Sequence, residues 1–370
     1  MKKLIQRINL KQQWKSDEKK ILPVIKKILR SGNYVGSNII LDLEKKIANY
    51  CGTKYAICTN SGTDALTLGL HLLNVKKGDE VITPTNSFIA SAASIVHLGA
   101  KPVFVDVKDD QLIDPKEIEK KITKKTKAIM PVHLCGKMAD MKSIMDISKK
   151  YNIPIIEDCA QAIGSKFLKK KSGSHGSIGC FSTHPLKNLN TAGDGGFIVT
   201  NNFQFYKKLK LLINHGISNR NKSQCFGYVS RMDTLQAGIL LERIKNLNTR
   251  IKARRINANI YFQELSNLPI KLPYENQNEF NTYHLFVIQT KNREKLKNFL
   301  LKKGIETAIH YPIPIHLQPA AKYLGYKKGD FQKAEMQSKT ILSLPINEFL
   351  KKSDIIYICK TIKIFLNKNS

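Results

Sequence analysis

Two adjoining segments near the middle of the chain decide the fold and carry most of its chemistry. The first is Ile155-Ile156-Glu157-Asp158-Cys159-Ala160-Gln161, a short apolar strand that ends in carboxylates. The second is Phe181-Ser182-Thr183-His184-Pro185-Leu186-Lys187-Asn188, in which another strand runs into a polar loop with one lysine. We therefore expect Asp158 at the carboxyl end of one buried strand and Lys187 in the loop after the next strand.

An aspartate at a strand end and a lysine about thirty residues later suit pyridoxal phosphate as a cofactor. This cofactor needs a lysine that carries it as a Schiff base, and an acid that keeps its pyridine nitrogen protonated so that the ring acts as an electron sink. The sequence therefore predicts a pyridoxal 5'-phosphate site, with Lys187 as the catalytic residue and Asp158 as the acid.

Short apolar strands alternate with helical stretches from about residue 54 to residue 202. The helical stretches, such as residues 63–73 and 141–151, have apolar residues three and four positions apart. The predicted strands are residues 55–58, 80–83, 102–105, 128–132, 154–156, 179–182 and 196–200. This α/β pattern predicts a mostly parallel seven-stranded sheet between two layers of helices.

The remaining chain predicts two helices before the sheet, within residues 16–51, and a smaller α+β domain after it. A long helical connector is expected over residues 240–265. The small domain is expected to contain strands at 283–289 and 306–310 and helices at 294–303 and 354–366. Because 370 residues are too many for one compact core, we predict a large cofactor-binding domain over residues 1–240 and a C-terminal unit over residues 241–370.

The net charge of +32 is the unusual feature of the composition. Of the 61 basic residues, 52 are lysines, and they are spread along the chain rather than gathered in one arm. Since no aromatic-basic motif of a nucleic-acid-binding module accompanies them, we predict no nucleic-acid partner and a basic surface that attracts anionic substrates.

The sequence also predicts a cytoplasmic protein that does not bind a membrane. No apolar run approaches the roughly 20 residues that span a bilayer, and the basic N-terminus lacks the apolar stretch of a signal peptide. The seven cysteines form no C-x-x-C pair and no zinc-like spacing, so no metal site is expected.

Polar residues gather after the predicted strands, where ligands bind to an open parallel sheet. After the first strand, Ser61-Gly62-Thr63-Asp64 leads into a helix. The free N–H groups of such a helix start suit a phosphate, and a glycine allows close approach. An ordinary N-cap by Ser61 or Thr63 is the alternative interpretation. Phe88 could stack on a flat ring, and a core position is its alternative.

Taken together, several motifs resemble those of the DegT/StrS family of pyridoxal-phosphate-dependent sugar aminotransferases, which have the type I, aspartate-aminotransferase-like fold. The resemblance extends from about Gly36 to the C-terminus. The motifs are Asn60-Ser61-Gly62-Thr63-Asp64-Ala65-Leu66, Pro131-Val132-His133-Leu134-Cys135-Gly136, Glu157-Asp158-Cys159-Ala160-Gln161-Ala162, His184-Pro185-Leu186-Lys187-Asn188-Leu189, Gly193-Asp194-Gly195-Gly196, Arg231-Met232-Asp233-Thr234-Leu235-Gln236-Ala237 and His310-Tyr311-Pro312-Ile313-Pro314.

The resemblance implies roles for individual residues. Lys187 would carry the cofactor and shift the proton, and Asp158 would pair with the pyridine nitrogen. Gln161 would lie near the phenolic oxygen, and Phe88 would stack on the ring. The residues implied to hold the cofactor phosphate are Gly62, Thr63 and Ser182.

The resemblance also implies a homodimer with shared active sites. In the family, an asparagine two residues before the arginine of the Arg-x-Asp-x-x-Gln-Ala motif reaches the phosphate in the partner subunit. Here that position is Val229, and Ser230 follows it. We therefore expect residues 227–237 to cross between subunits, with Ser230 or a nearby backbone N–H group making the phosphate contact.

The implied reaction is transfer of an amino group from glutamate to a keto carbon of a nucleotide-linked hexose, in amino-sugar and surface-polysaccharide biosynthesis. The motifs favour C3 of a dTDP- or UDP-linked 3-keto sugar. The alternatives are a C4 aminotransferase, a sugar dehydratase with histidine in place of the lysine, and a regulatory protein on the same fold. The presence of Lys187 and Asp158 disfavours the last two.

His310 and Tyr311, at the end of a predicted strand of the small domain, are the residues expected to face the sugar. For His310, packing at the domain interface is the alternative. Lys166, Arg220 and Arg231 are candidates for a cationic mouth that receives the anionic substrates.

Overall fold

The computed structural model describes residues 4–219 and 221–368. Its α-helices are α1 (Leu10–Ser31), α2 (Asn38–Cys51), α3 (Gly62–Leu72), α4 (Ala90–Val96), α5 (Pro115–Lys120), α6 (Met141–Tyr151), α7 (Phe203–Leu212), α8 (Thr234–Arg243), α9 (Leu247–Leu265), α10 (Arg293–Lys302), α11 (Gln332–Thr340) and α12 (Lys352–Asn367). Short 3-10 helices lie at Leu134–Gly136, Ile244–Asn246, Ile315–Leu317 and Pro319–Leu324.

The central sheet contains the seven predicted strands. They are β1 (Tyr55–Thr59), β2 (Glu80–Pro84), β3 (Lys101–Val105), β4 (Thr126–Ile129), β5 (Ile156–Asp158), β6 (Ile178–Ser182) and β7 (Gly196–Thr200). The hydrogen-bonded groups β1-β7-β6-β5 and β4-β2-β3 are joined by parallel bridges from Ile129 to Ile155 and from Val132 to Asp158. Only β7 runs antiparallel to its neighbours, so the prediction of a mostly parallel sheet is confirmed.

Helix α3 packs closely on the middle of this sheet. Gly69 faces β5 and β6, and a Cβ atom added there would lie 2.6 Å from Ile156 Cδ1 and 3.0 Å from Cys180 Sγ. The glycine therefore leaves room for the strand side chains. As a result, the N-terminus of α3 is held beside the end of β6, where the site forms.

The C-terminal part of the chain has its own apolar core. Strands β8 (Phe286–Gln289) and β9 (Ile341–Leu344) pair antiparallel, and α9, α10 and α12 supply most of the remaining core side chains. Further two- and three-residue strands lie at Lys166–Phe167, Lys170–Lys171, Ile217–Asn219, Lys222–Ser223 and Glu279–Phe280.

Three sequence predictions for this region are wrong in detail. The connector over 240–265 is not one helix, because the 3-10 turn Ile244–Asn246 separates α8 from α9. The strand expected over 283–289 begins only at Phe286, since Tyr283 has a φ of 46°, which extended backbone does not allow. The strand expected over 306–310 is reduced to a single bridge between Ala308 and Ser343.

The N-terminal segment runs beside this C-terminal core. Ile5 N–H donates to Gly304 O at 2.8 Å, and Glu306 N–H donates to Ile5 O at 3.0 Å. The domain boundary predicted at residue 240 falls within α8 and stays a prediction. None of the helices in the described part of the chain has the length and apolar character that a bilayer crossing requires.

Candidate active site

One cleft of about 410 Å³ opens at the carboxyl ends of the central strands. It is lined by every residue that the sequence predicted for the cofactor and sugar: Gly62, Thr63, Phe88, Asp158, Gln161, Ser182, Lys187, His310 and Tyr311. The cleft thus joins side chains from the sheet with side chains from the C-terminal part of the chain.

Asp158 is the last residue of β5, and its side chain is buried. Its Oδ2 accepts a hydrogen bond from Ser91 Oγ at 2.8 Å, and its Oδ1 accepts one from Ala160 N–H at 3.1 Å. Burial raises the pKa of Asp158, although these bonds and the charge of Lys187 act in the opposite direction. Among the residues that the structure describes, none forms an ion pair with this carboxylate, so a cation is the partner that it lacks.

Lys187 lies in the loop after β6, where its backbone N–H donates to His184 O at 2.8 Å. Removal of its ammonium group from water lowers the pKa of Lys187 to about 8, while the carboxylate of Asp158 partly opposes this shift. A lysine with this pKa has an appreciable unprotonated fraction near neutral pH, as a nucleophile or proton acceptor requires.

A buried polar network fixes the Lys187 loop against α1. Gln13 and Asn190 exchange hydrogen bonds of 2.8 Å and 3.0 Å between their side-chain amides. Arg243 donates to Asn190 O at 2.8 Å and pairs with Asp17 at 3.0 Å. The first long helix of the chain therefore helps to position the lysine.

Glu157, the neighbour of Asp158, points to the other face of β5. It accepts a hydrogen bond from the His133 ring at 2.9 Å and further bonds from the N–H groups of Gly173, His175 and Gly176. Burial acts to raise the pKa of Glu157, but these bonds and the neighbouring histidines bring it below its ordinary value. His133, Glu157 and Cys159 lie within 4.8 Å of one another, yet both Glu157 oxygens are already bonded, which gives this cluster a structural explanation.

The start of α3 also lines the cleft. Ser61 is the N-cap, and its Oγ accepts from Asp64 N–H at 3.0 Å, so the capping interpretation holds for Ser61. Gly62 lies so close to the end of β6 that an added Cβ atom would be 2.6 Å from Ser182 Cβ. Gly62, Thr63 and Ser182 therefore surround one small space at a helix N-terminus, which suits an anion.

Phe88 is 57% exposed and lines the cleft, so its alternative as a core residue is wrong. Its ring centre lies 6.0 Å from that of Tyr311. The Tyr311 hydroxyl accepts a hydrogen bond from Gln161 Nε2 at 3.1 Å, and Gln161 Oε1 accepts one from Cys135 N–H at 2.9 Å. These contacts give Gln161 and Tyr311 fixed positions on one wall.

His310 lies beside Tyr311 and hydrogen-bonds with Ser343 Oγ through Nδ1 at 2.8 Å. Burial and the positive charges of Arg7 and Lys187 lower the pKa of His310 to about 4. The imidazole is therefore neutral near pH 7. Its packing against Ser343 and its place in the cleft are both observed, so the two interpretations of this residue are compatible.

Three polar residues of the cleft belong to none of the sequence motifs: Arg7, Ser91 and His284. Ser91 lies near the start of α4, shortly after the predicted Phe88, and a serine there gives no signal because serine is common near helix starts. Arg7 and His284 reach the cleft through contacts between segments that are far apart in the sequence. Only the rarity of arginine in this lysine-rich chain could have singled out Arg7.

Two of the three candidates for a cationic mouth, Lys166 and Arg231, are not among the residues that line the cleft. Lys166 Nζ lies over the Phe280 ring at 5.4 Å, and Arg231 donates to Asn214 Oδ1 at 2.9 Å beside a different pocket. Arg220 lies outside the described residues.

Ser230 is buried and bonded within its own subunit, where its Oγ donates to Asp64 Oδ2 at 2.7 Å. This bond disfavours the expectation that the Ser230 hydroxyl reaches a partner's phosphate. Val229, in contrast, is 58% exposed. That a nearby backbone N–H group contacts the phosphate in the partner subunit stays a prediction.

Comparisons with known proteins agree with this geometry. The chain is 38% identical to a pleiotropic regulatory protein of Geobacillus stearothermophilus, over 97% of each chain. It is 39% identical to a dTDP-3-amino-3,6-dideoxy-alpha-D-galactopyranose transaminase of Aneurinibacillus thermoaerophilus, over 95% of each chain. It is 36% identical to a UDP-2-acetamido-2-deoxy-3-oxo-D-glucuronate aminotransferase of Pseudomonas aeruginosa, over 96% of this chain and 99% of the relative.

Two solved structures have the same fold. The crystal structure of S. venezuelae DesV in complex with a ketimine intermediate matches with a TM-score of 0.96 at 34% identity, over 98% of this chain and 99% of that one. A putative sugar aminotransferase of Streptococcus pneumoniae in its PLP form matches with a TM-score of 0.89 at 28% identity, over 94% and 96%. The type I fold is therefore confirmed. The sequence profile of the DegT/DnrJ/EryC1/StrS aminotransferase family matches residues 15–363, and the chain belongs to this family.

Proposed function

We propose that this protein transfers an amino group from glutamate to a keto carbon, C3 in preference to C4, of a nucleotide-linked hexose. The observation that carries the proposal is the meeting of Lys187, with a pKa of about 8, and the buried Asp158 in one cleft. The two relatives named as sugar transaminases, one for a dTDP-3-amino sugar and one for a UDP-3-oxo sugar, support C3.

The residues of the cleft fit pyridoxal phosphate. Asp158 is a buried carboxylate without an ion-pair partner in the described part of the chain, and a protonated pyridine nitrogen is the cation that it would accept. The space between Gly62, Thr63 and Ser182 would hold the phosphate, and Phe88 would cover the ring. When bound, this cofactor provides the electron sink that allows proton removal next to the amino group.

Lys187 would carry the cofactor and then move the proton. Because burial lowers the pKa of Lys187 to about 8, its Nζ would be able both to accept a proton from the donor's α-carbon and to release it again near neutral pH. Asp158 would keep the pyridine nitrogen charged, because a buried opposite charge favours the protonated form. Ser91 would hold the Asp158 carboxylate in place through its 2.8 Å hydrogen bond.

His310 and Tyr311 would face the sugar. The neutral His310 uses Nδ1 for Ser343, which leaves Nε2 as the ring nitrogen for a sugar hydroxyl. Tyr311 already accepts from Gln161, so its own hydroxyl proton is the group it can donate.

The protein would act as a homodimer with shared active sites. In the described part of the chain, Phe226 is fully exposed, and Tyr228 and Val229 beside it are also exposed. Three neighbouring apolar side chains in water are better explained by a partner surface than by a free loop. We place the segment that crosses between subunits at residues 227–237.

The enzyme would act in the cytoplasm, where its seven free cysteines would stay reduced. Its product would be used in the biosynthesis of surface-polysaccharide amino sugars.

One relative is named as a regulatory protein, so a non-catalytic role on this fold is the second candidate. A regulator has no need for a lysine with a lowered pKa beside a buried aspartate. A dehydratase has no need for Lys187. Both alternatives therefore predict that no amino sugar is formed.

The test is incubation of the purified, cofactor-loaded protein with glutamate and a panel of dTDP- and UDP-linked 3-keto and 4-keto hexoses, followed by mass spectrometry. We expect a 3-amino product with the wild type and no product with Lys187→Ala. Amination of 4-keto sugars alone would show that the C3 assignment is wrong. If no keto sugar of the panel is converted to an amino sugar, the proposed function is wrong.

A further inference from the structure

Arg7 brings a guanidinium group into the active-site cleft from the N-terminal segment. It lines the same wall as His284, His310 and Tyr311, and its charge acts on all three. The charge of Lys187 also acts on both histidines. Arg7 therefore lies near these three residues, in the cleft that Lys187 also lines.

The backbone of Arg7 is fixed at this position. Its N–H donates to Glu306 Oε2 at 3.1 Å, and its carbonyl oxygen accepts from Asn347 Nδ2 at 3.3 Å. The preceding Ile5 pairs with Ile305 in a parallel bridge. A segment held by three contacts with the C-terminal core presents its side chain at a defined place, as a binding residue requires.

The guanidinium itself has unused hydrogen-bonding capacity. Its Nε atom is buried and has no hydrogen-bond partner, and within the described residues the side chain forms no ion pair. An unpaired buried donor of this kind is costly unless a ligand completes it. Burial lowers the pKa of Arg7, and the charge of Glu306 opposes this shift. Arginine still keeps its charge at neutral pH.

Arg7 also differs in charge from the polar side chains around it. The pKa of His310 is about 4, and that of His284 is lowered by burial and by the charges of Lys187 and Arg254. Both imidazoles are therefore neutral near pH 7, and Arg7 supplies a lasting positive charge on this wall. The fork of a guanidinium matches a carboxylate with two parallel hydrogen bonds.

We propose that Arg7 binds the α-carboxylate of the amino donor. In any α-amino acid that transfers its amino group, the α-carboxylate is attached to the carbon that loses a proton to Lys187. The negative charge to be bound therefore lies beside Lys187, in the cleft that the Arg7 side chain also lines. The diphosphate of a nucleotide sugar is separated from the keto carbon by the sugar ring, and it would lie farther out. This inference rests on the proposed aminotransferase function, but not on the identity of the sugar.

The test separates the two halves of the reaction. Cofactor-loaded Arg7→Gln, Arg7→Lys and wild-type proteins are mixed with increasing concentrations of glutamate, and the loss of visible absorbance is followed in a single turnover. We expect the half-saturating glutamate concentration to rise about 10²-fold in Arg7→Gln, because this is the scale for loss of one partner of a buried charged hydrogen bond. The rise should be smaller in Arg7→Lys, which keeps the positive charge. Lys11→Gln removes a positive charge from an exposed position at the start of α1 and should behave as the wild type.

A second measurement does not depend on turnover. Glutarate, which has carboxylates but no amino group to transfer, should bind the wild type more tightly than Arg7→Gln in a calorimetric titration, with unchanged visible absorbance of the bound cofactor. Unchanged glutamate dependence and unchanged glutarate affinity in Arg7→Gln would overturn the proposal. So would a variant that keeps its glutamate dependence and loses only its affinity for the keto sugar. If no keto sugar reacts with the wild type, the proposed function fails while the glutamate half-reaction still tests Arg7.

Discussion

Capture of the cofactor by Lys187 should depend on pH in a way that its surroundings determine. The attacking species is the unprotonated Nζ, and burial lowers the pKa of this lysine from 10.5 to about 8. At pH 7 an ordinary lysine is unprotonated in roughly one molecule in 3,000, whereas a lysine with a pKa near 8 is unprotonated in about one in ten. The environment of Lys187 therefore increases the reactive fraction about 300-fold.

The assay mixes apoprotein with pyridoxal phosphate at a series of pH values and follows the appearance of visible absorbance. The rate constant should rise with pH and level off above a midpoint near 8. Lys187→Ala should develop no such absorbance, and Lys11→Ala, at an exposed position, should follow the wild type. A rate that still rises tenfold per pH unit up to pH 10 would show that Lys187 has an ordinary pKa and would refute the reasoning.

Asp158 provides an internal check on the same curve. Its negative charge raises the pKa of Lys187 and so opposes the effect of burial. In Asp158→Asn the midpoint of cofactor capture should therefore move to lower pH. A midpoint that moves upward would mean that the charge of Asp158 does not act on Lys187 as the geometry indicates.

Two further predictions concern turnover and assembly. Asp158→Asn keeps the shape of the side chain but removes its charge, so transamination by the loaded enzyme should fall by about 10²-fold or more. The control, Asp146→Asn at an exposed position of α6, should leave the rate of transamination unchanged. Near-normal turnover in Asp158→Asn would exclude the role assigned to Asp158. The wild type is predicted to be a dimer in light scattering. Phe226→Asp, which places a charge on a fully exposed apolar side chain, should give a monomer of 41.9 kDa, whereas Tyr323→Asp, at another exposed aromatic side chain, should behave as the wild type. A wild type that is monomeric and fully active would contradict the shared active site.

Much of the sheet and of the site could be predicted from the sequence, because local patterns specify both. The seven strands are short apolar runs between helices of clear periodicity, and their ends agree with the structure to within three residues. Asp158 and Lys187 were found because strand ends of a parallel sheet collect on one edge. Gly62 and Phe88 follow strands in the same way, and Ser182 is the last residue of β6.

The parts that could not be predicted depend on contacts between distant segments. Arg7 is held at the cleft because Ile5 pairs with the backbone of residues 304–306 and Arg7 N–H donates to Glu306 Oε2, and no periodic pattern in so short an N-terminal stretch predicts these contacts. The strand expected at 306–310 has suitable residues, but the backbone of Glu306 pairs with Ile5 and that of Ala308 pairs with Ser343, so no continuous ladder forms with one neighbouring strand. Tertiary contacts overrode the local strand pattern here.

The most direct test of the central claim is a spectral cycle on one sample of the loaded protein. Glutamate alone should remove the visible absorbance, and after the amino acid is removed by gel filtration a keto nucleotide sugar should restore it, with one equivalent of amino sugar formed per site. Lys187→Ala should complete neither half. If 2-oxo acids such as pyruvate restore the absorbance well and no keto nucleotide sugar does, the protein is an aminotransferase of another substrate class and the account of its sugar substrate is wrong.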